Sequence, residues 1–275
     1  MTTPTTLEAI ARQAVAGDRA ALDAMVRALQ GDIYGLALKM LWNREDAEDA
    51  TQEILVRLVT RLAQFNFQSR LKTWAYRIAV NYILDTKKSA IERLHFSFER
   101  FGADLVDGLR DDSATDVEQS VLIDEVKIGC SLAMLQCLDR PHRLAYVLGE
   151  LMDLSGPEAA EALDISPALF RKRLQLARQA IIEFTKSHCG LVSDAAPCRC
   201  HRRVPADATE PDAAHPVTFA RRKTSFEEAR ALVRQVDEAR WALEVHLTSQ
   251  PKGSAIDFAQ RLLESIDRKD AGSSS

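Results

Sequence analysis

Long apolar runs are missing from this 275-residue chain. The longest uncharged apolar stretch, Ile128–Leu138, falls well short of the roughly 18 residues a helix needs to span a bilayer. The Met-Thr-Thr-Pro-Thr-Thr start has no basic residues leading into an apolar block, so it does not read as a secretory signal. Aromatic residues amount to only 6 %. No run alternates apolar and polar residues over the length of a strand, which argues against a sheet. Cysteine is scarce and odd in number, at five, which argues against a disulfide framework. These absences predict a cytoplasmic protein with no membrane contact.

Apolar residues nevertheless make up 46 % of the chain, too many for a disordered polymer and enough for real cores. At roughly 150 residues per domain the length suits about two domains with an appendage. Abundant Ala and Leu favour helix. The net charge of −4 is an average over strong local contrasts. Arg70–Lys88 carries five cations (Arg70, Lys72, Arg77, Lys87, Lys88) against Asp85. Ser166–His188 carries five (Arg171, Lys172, Arg173, Arg178, Lys186) against Glu183. Between them, Glu99–Glu125 holds nine carboxylates against Arg100 and Arg110. Two basic helical segments flanking an acidic linker suggest a nucleic-acid partner, although either basic segment alone also suits a solvated helix face.

Periodicity orders the elements. Leu22, Met25, Leu29, Ile33, Leu36 and Met40 recur every three or four residues, the stripe of a long amphipathic helix. Asn43 can cap a second helix, with Glu45 and Asp46 in its first turn and Ala47, Ala50, Ile54, Leu58 and Leu62 as its apolar face. Phe65–Ser69 breaks the pattern, and a third helix follows with Leu71, Trp74, Ile78 and Tyr82 on one side. Periodicity fades from about residue 89 to 118, then returns with Val121, Ile128, Leu132 and Leu135. Ser155 and Glu158 form a capping box that opens a short helix. Asp164 and Ile165 make a turn. Ser166 then serves as N-cap with Pro167 at the first helical position, and the next helix buries Phe170, Leu174, Ala177 and Ile181. A short helix, a brief turn and a longer basic helix make a helix-turn-helix. Beyond a Pro-, Ala- and Cys-bearing stretch, a second capping box at Thr224 and Glu227 opens a further helix, and 254–268 reads as a last one.

The fold expected is all-α, with two helical domains joined by an acidic linker, the second a helix-turn-helix, plus a helical C-terminal extension. The boundaries expected are 1–90, a linker 91–118, 119–187, a Cys-bearing segment 188–223, and an extension 224–275. No catalytic constellation is present, and the chain reads as a binding protein, not an enzyme. In the first basic helix, cations interleaved with Trp74 and Tyr76 suit unpaired nucleic acid, where rings stack bases and cations hold phosphates. The helical wheel assigns Trp74 to the core. It leaves Lys72, Tyr76, Arg77 and Asn81 for binding, Asn81 being able to read the edge of an extruded base. In the second, Arg171, Lys172, Arg173 and Arg178 can clamp phosphates or contact guanine.

Three segments in this order, 43–58 (NREDAEDATQEILVRL), 67–88 (FQSRLKTWAYRIAVNYILDTKK) and 155–181 (SGPEAAEALDISPALFRKRLQLARQAI), resemble sigma factors of bacterial RNA polymerase, of the small extracytoplasmic-function type. The resemblance covers residues from about 7 to 186. It implies that Asp46, Asp49, Gln52, Glu53 and Arg57 bind core RNA polymerase. It implies that Arg70, Lys72, Tyr76, Arg77, Asn81, Lys87 and Lys88 engage the melted non-template strand of the −10 element. It further implies that Ser166, Ala168, Arg171, Lys172, Arg173 and Arg178 read the double-stranded −35 element of promoter DNA, and it makes an anti-sigma protein a further candidate partner. Asp164 stands where the family usually has Gly, and Asp tolerates the left-handed conformation better than most residues. The recognition helix opens with Ala168-Leu-Phe-Arg-Lys-Arg in place of the family's Gly-Thr-Val-Lys-Ser-Arg type of run.

Cys189, Cys198, Cys200 and His201 lie within thirteen residues and supply soft ligands suited to zinc or copper(I). They resemble the Cys-bearing tail of some sigma factors of this type. A thiol pair that oxidises reversibly, or a reduced solvent-facing loop, fits the same residues. Cys130 and Cys137, seven apart on one helix, read as core. The extension is expected to regulate. The alternative function is a one-component metal- or redox-responsive helix-turn-helix regulator acting without polymerase.

Overall fold

The structure, a computed structural model, describes residues 6–86, 96–107, 109, 120–203, 246, 254 and 256–272. Helix α1 is Leu7–Val15, α2 Arg19–Leu41, α3 Arg44–Thr60, α4 Leu71–Asp85, α5 Phe98–Asp107 and α6 Ser120–Gln136. Helix α7 (Arg140–Tyr146) runs on into a π-helical turn, Val147–Leu151, and is followed by α8 (Gly156–Ala162), α9 (Pro167–His188) and α10 (Phe258–Gly272). No β-strand occurs among the described residues; the only extended pairing there is an isolated bridge between Cys189 and Cys198. No described helix is long and apolar enough to cross a membrane. The all-α expectation holds.

The chain forms two compact units. The first gathers Met1–Lys87, Leu154–Pro167 and Gly253–Ser275; the second gathers Lys88–Asp153 and Ala168–Lys252. These units cut across the sequence-derived boundaries, because α8 and α10 pack with α1–α4.

In the first unit the expected stripe is the core: Met25, Leu29, Ile33, Leu36 and Met40 are all at most 1 % exposed. Helix α2 stops at Trp42, whose left-handed backbone (φ 49°) turns its N–H onto the Leu38 carbonyl at 2.9 Å. Asn43 then caps α3, its side-chain oxygen accepting the Asp46 N–H at 2.9 Å. Helix α8 opens at Ser155 with the expected capping box, in which Glu158 accepts from the Ser155 N–H at 3.0 Å. It closes in a Schellman motif: Ile165 N–H donates to Ala160 O and Asp164 N–H to Glu161 O, both at 3.1 Å. The position that usually demands glycine is held by Asp164 at φ 53°.

In the second unit, a helix stands where the sequence reading placed only linker. Phe98, Phe101 and Leu105 recur at helical spacing, and acidic neighbours hid that stripe. Phe101 stacks on Phe184 with centroids 5.1 Å apart, and Phe98 lies 5.2 Å from the same ring. Gly102 gives His188 the room to approach; a Cβ there would lie 2.6 Å from its Nε2. The extension helix expected from Thr224 lies outside the described residues, apart from His246, whose Nδ1 is 2.5 Å from Ser131 Oγ.

Candidate nucleic-acid interface

Helix α4 carries the first cluster. Its start has no side-chain cap, and its cations project at 74 % (Arg70), 53 % (Lys72) and 45 % (Arg77) exposure. Asn81 is exposed as well, while Lys87 and Lys88 lie outside the described residues. Tyr76 corrects the expectation that it faces outward. It is 3 % exposed and hydrogen-bonds Asp32 of α2. Burial first, then the Asp32 carboxylate, pushes its phenol well above the ordinary value. Lys72, one turn earlier, also reaches Asp32, at 2.7 Å. A residue that closes the α2–α4 seam cannot also stack on a base.

Trp74 corrects the opposite expectation, because it is only half-buried. It lies 5.1 Å from Phe65, which lies 4.5 Å from Phe67. Phe67 is itself left-handed (φ 60°), in a turn where the Asn66 side chain accepts the Gln68 N–H at 3.2 Å. The Arg12 guanidinium sits 5.0 Å above its ring. This aromatic trio joins the loop ahead of α4 to the first turn of that helix, with Phe65 buried beneath Phe67 and Trp74. Its signal was the Phe-x-Phe run dismissed as a break between helices.

Two of the α4 cations are held by α8 and its terminal turn within the same unit. Arg70 Nη1 donates to Glu158 at 3.1 Å, and Arg77 Nη2 to Asp164 at 2.9 Å. The Ser155 hydroxyl, then Arg70, hold the Glu158 carboxyl below its ordinary value. The buried face of α8 is Ala159, Ala160 and Ala162, short side chains that let it lie close on α4.

Helix α3 keeps its acidic face open: Asp46, Asp49 and Glu53 are exposed. Arg57 is half-buried, bonds Glu53 at 3.2 Å and lies 4.7 Å over the Tyr82 ring, so it also ties α3 to α4. Gln52 has its side-chain oxygen buried with no hydrogen-bond partner among the described residues. Beside this face, α10 docks on α2 and α3. Asp257 pairs with Arg27 at 2.6 Å, the Ala259 N–H donates to Gln30 at 3.1 Å, and Ser254 donates to Glu48 at 2.9 Å. Phe258, Ala259 and Leu262 are at most 2 % exposed.

In the second unit α9 presents Ala168, Arg171 and Lys172 exposed and Arg173 half-buried. Phe170, Ala177, Ile181 and Phe184 are buried on its other face. Arg178, expected to be available to DNA, instead pairs with Glu150 in the π-helical turn. Ser166, just ahead of α9, is exposed.

The tail folds back as a knuckle. Gly190 N–H donates to Cys198 O at 3.0 Å, and Arg199 binds the carbonyls of Ala196, Cys198 and Asp194 at 2.6–3.0 Å. A Cβ on Gly190 would collide with Cys198 O and the Arg199 guanidinium, so only glycine fits. All five cysteines are free thiols. Cys189, Cys198 and Cys200 line one small cavity together with Cys130 of α6, whereas His201 is not among its lining residues. Cys130 therefore belongs to the thiol cluster and not simply to a core. Among the described residues, no group of three or more His, Cys, Asp or Glu side chains is arranged to hold a metal ion as it stands. Burial drives all four thiols upward, Cys198 to about 11.

Comparison with known proteins agrees with this layout. Residues 25–91 match the Sigma-70 region 2 family. The ECF RNA polymerase sigma factor SigW of Bacillus subtilis is 27 % identical over 179 residues, 62 % of this chain and 91 % of the relative. The RNA polymerase sigma-H factor of Pseudomonas aeruginosa is 28 % identical over 169 residues, 60 % of this chain and 86 % of the relative. RNA polymerase sigma factor NccH of Alcaligenes xylosoxydans is 26 % identical over 187 residues, 68 % of this chain and 98 % of the relative. Helices α2–α4 cover most of the matched region, so residues 25–91 are a sigma-70 region 2 domain, and the chain is similar to RNA polymerase sigma factors of the extracytoplasmic-function type along most of their own length.

Proposed function

We propose that this chain is the promoter-specificity subunit of a bacterial RNA polymerase and acts by binding, not catalysis. The observation that carries the reading is the segregation of charge: exposed carboxylates Asp46, Asp49 and Glu53 on α3, and exposed cations, ion-paired within their own unit on α4, along α4 and α9. Carboxylates on α3 suit a basic surface of core polymerase. Arg70, Lys72, Arg77 and Asn81, beside the Phe65–Phe67–Trp74 cluster, suit the unpaired strand of the −10 element, where rings hold bases and cations hold phosphates. Arg171, Lys172 and Arg173, near the N-terminal end of α9, suit a major groove at the −35 element.

The paired state of Arg70 and Arg77 does not oppose this reading. Exposed ion pairs contribute at most about 1 kcal/mol each, whereas a phosphate contact also gains from counterion release. DNA therefore competes well for both guanidinium groups. The tail acts as a regulator in this reading, with α10 resting on α2 and α3 next to the polymerase-facing carboxylates and a ligand or redox change acting at the cysteines. The experiment is reconstitution with core polymerase on genomic DNA, with start sites read with and without the chain. Defined starts that depend on the chain are expected; failure to co-elute with core polymerase would sink the reading in favour of a regulator acting alone. Truncation after residue 187 tests the tail, and a shortened chain that transcribes no differently removes its regulatory role.

A further inference from the structure

Four of the five cysteines meet at one place. Cys130 comes from α6, while Cys189, Cys198 and Cys200 come from the knuckle after α9, and all four line a single cavity of about 30 Å³. The rest of the lining is Leu105, Val126, Met134, Phe184, Gly190 and one cation, Arg203. No disulfide ties any of them. Chance placement explains this poorly: Cys130 is 59 residues from Cys189 along the chain, yet it faces the same space.

We propose that Cys130, Cys189, Cys198 and Cys200 form a tetrathiolate site for one zinc ion, with Cys130 and not His201 as the fourth ligand. The donor set is sulfur only, which selects a soft or borderline ion over magnesium or calcium. Four thiolates fill the tetrahedral shell of a structural zinc, and the cavity takes a single ion, not an iron–sulfur cube.

The surroundings fit the charge that such a site carries. Zinc displaces four thiol protons to solvent, leaving a centre of net charge −2. Arg199, Arg202 and Arg203 act on the sulfurs of Cys198 or Cys130, and Lys127 on Cys200, each favouring the thiolate. The Leu191 and Val192 N–H groups favour the thiolate of Cys189 in the same way. Backbone donors on a ligand sulfur are the outer shell that orients a metal site. Gly190 and Arg199 brace the knuckle that carries three of the four sulfurs; the sulfurs line the cavity without yet standing at ligand geometry, so binding must draw them together.

The consequence for transcription rests on the function proposed above, but the site does not. The test uses the full chain purified without chelator. Expected is about one zinc per chain by elemental analysis, the stoichiometry of a closed four-ligand site, with Cys137 the one thiol that reacts until zinc is removed. Cys130→Ser and Cys200→Ser should lose the metal, while His201→Ala and Cys137→Ser should keep it. If Cys130→Ser fails to fold, cobalt substitution of the wild-type chain gives an independent answer, since the sulfur-to-cobalt absorption distinguishes four thiolates from three. A metal-free chain that also fails to take up added zinc overturns the proposal. So does loss of metal in His201→Ala together with retention in Cys130→Ser. Neither readout involves polymerase or DNA, so failure here and failure of the promoter reading are told apart.

Discussion

Arg77 Nη2 donates to Asp164 Oδ1 at 2.9 Å, tying the basic helix of sigma-70 region 2 to the left-handed turn that ends α8. With 45 % and 73 % of these side chains exposed, the pair is a latch of modest strength. Its partner Arg70–Glu158 has the same character. Cations expected to meet DNA are thus occupied by carboxylates of the same unit, and release costs little.

Asp164→Gly should both relieve a strained backbone and free Arg77. The left-handed conformation costs a non-glycine residue roughly 1 kcal/mol or less when it is Asp, so thermal stability should hold or rise slightly. Binding to a −10 single strand should tighten at low salt. Thermal melts and fluorescence anisotropy check both, and a clear loss of stability would mean the Arg77 pair outweighs the strain.

Removing Arg70, Lys72 and Arg77 one at a time to Ala should weaken strand binding almost uniformly across sequences and flatten its salt dependence by about one charge each. Asn81→Ala should instead impair strand opening with the salt slope unchanged. Anisotropy titrations over a range of salt separate the two behaviours.

Phe258→Ala should detach α10. Truncating a buried Phe costs about 3–5 kcal/mol, far more than the exposed Arg27–Asp257 pair, for which only the apolar anchor decides docking. Hydrogen exchange should rise in 256–272 while α2 and α3 stay protected. Unchanged exchange in 256–272 would show that the polar contacts suffice.

The α8 capping box should weaken in acid. The Ser155 hydroxyl and Arg70 hold the Glu158 carboxyl below its ordinary value of 4.5 in the folded chain. A lowered folded value contributes stability above 4.5 that is lost as pH falls through the folded value. Glu158→Gln should therefore be less stable at neutral pH and lose less on acidification below 4.5. Melts at several pH values check the convergence of the two curves.

Much of the helical layout was legible in the sequence because it depends on local signals. The stripe from Met25 to Met40, the Asn43 cap and the Ser155–Glu158 box involve residues within a few turns of one another. The left-handed Asp164 followed from its place after a short helix. Charge segregation along α3, α4 and α9 was equally plain, since exposed carboxylates and cations need no partner to declare themselves.

Other features were settled only by distant contacts. Tyr76 looked free on a helical wheel, but Asp32, more than forty positions earlier, draws its hydroxyl inward. Helix α5 was masked by its acidic residues, and only Phe184 shows what its rings pack against. Cys130 looked like core until the knuckle brought three more thiols to the same cavity. Sequence spacing reports which residues share a helix face, because backbone geometry fixes that over three or four positions. Which face meets which neighbour is a sum over packing of remote segments, and it is decided only once the chain has folded.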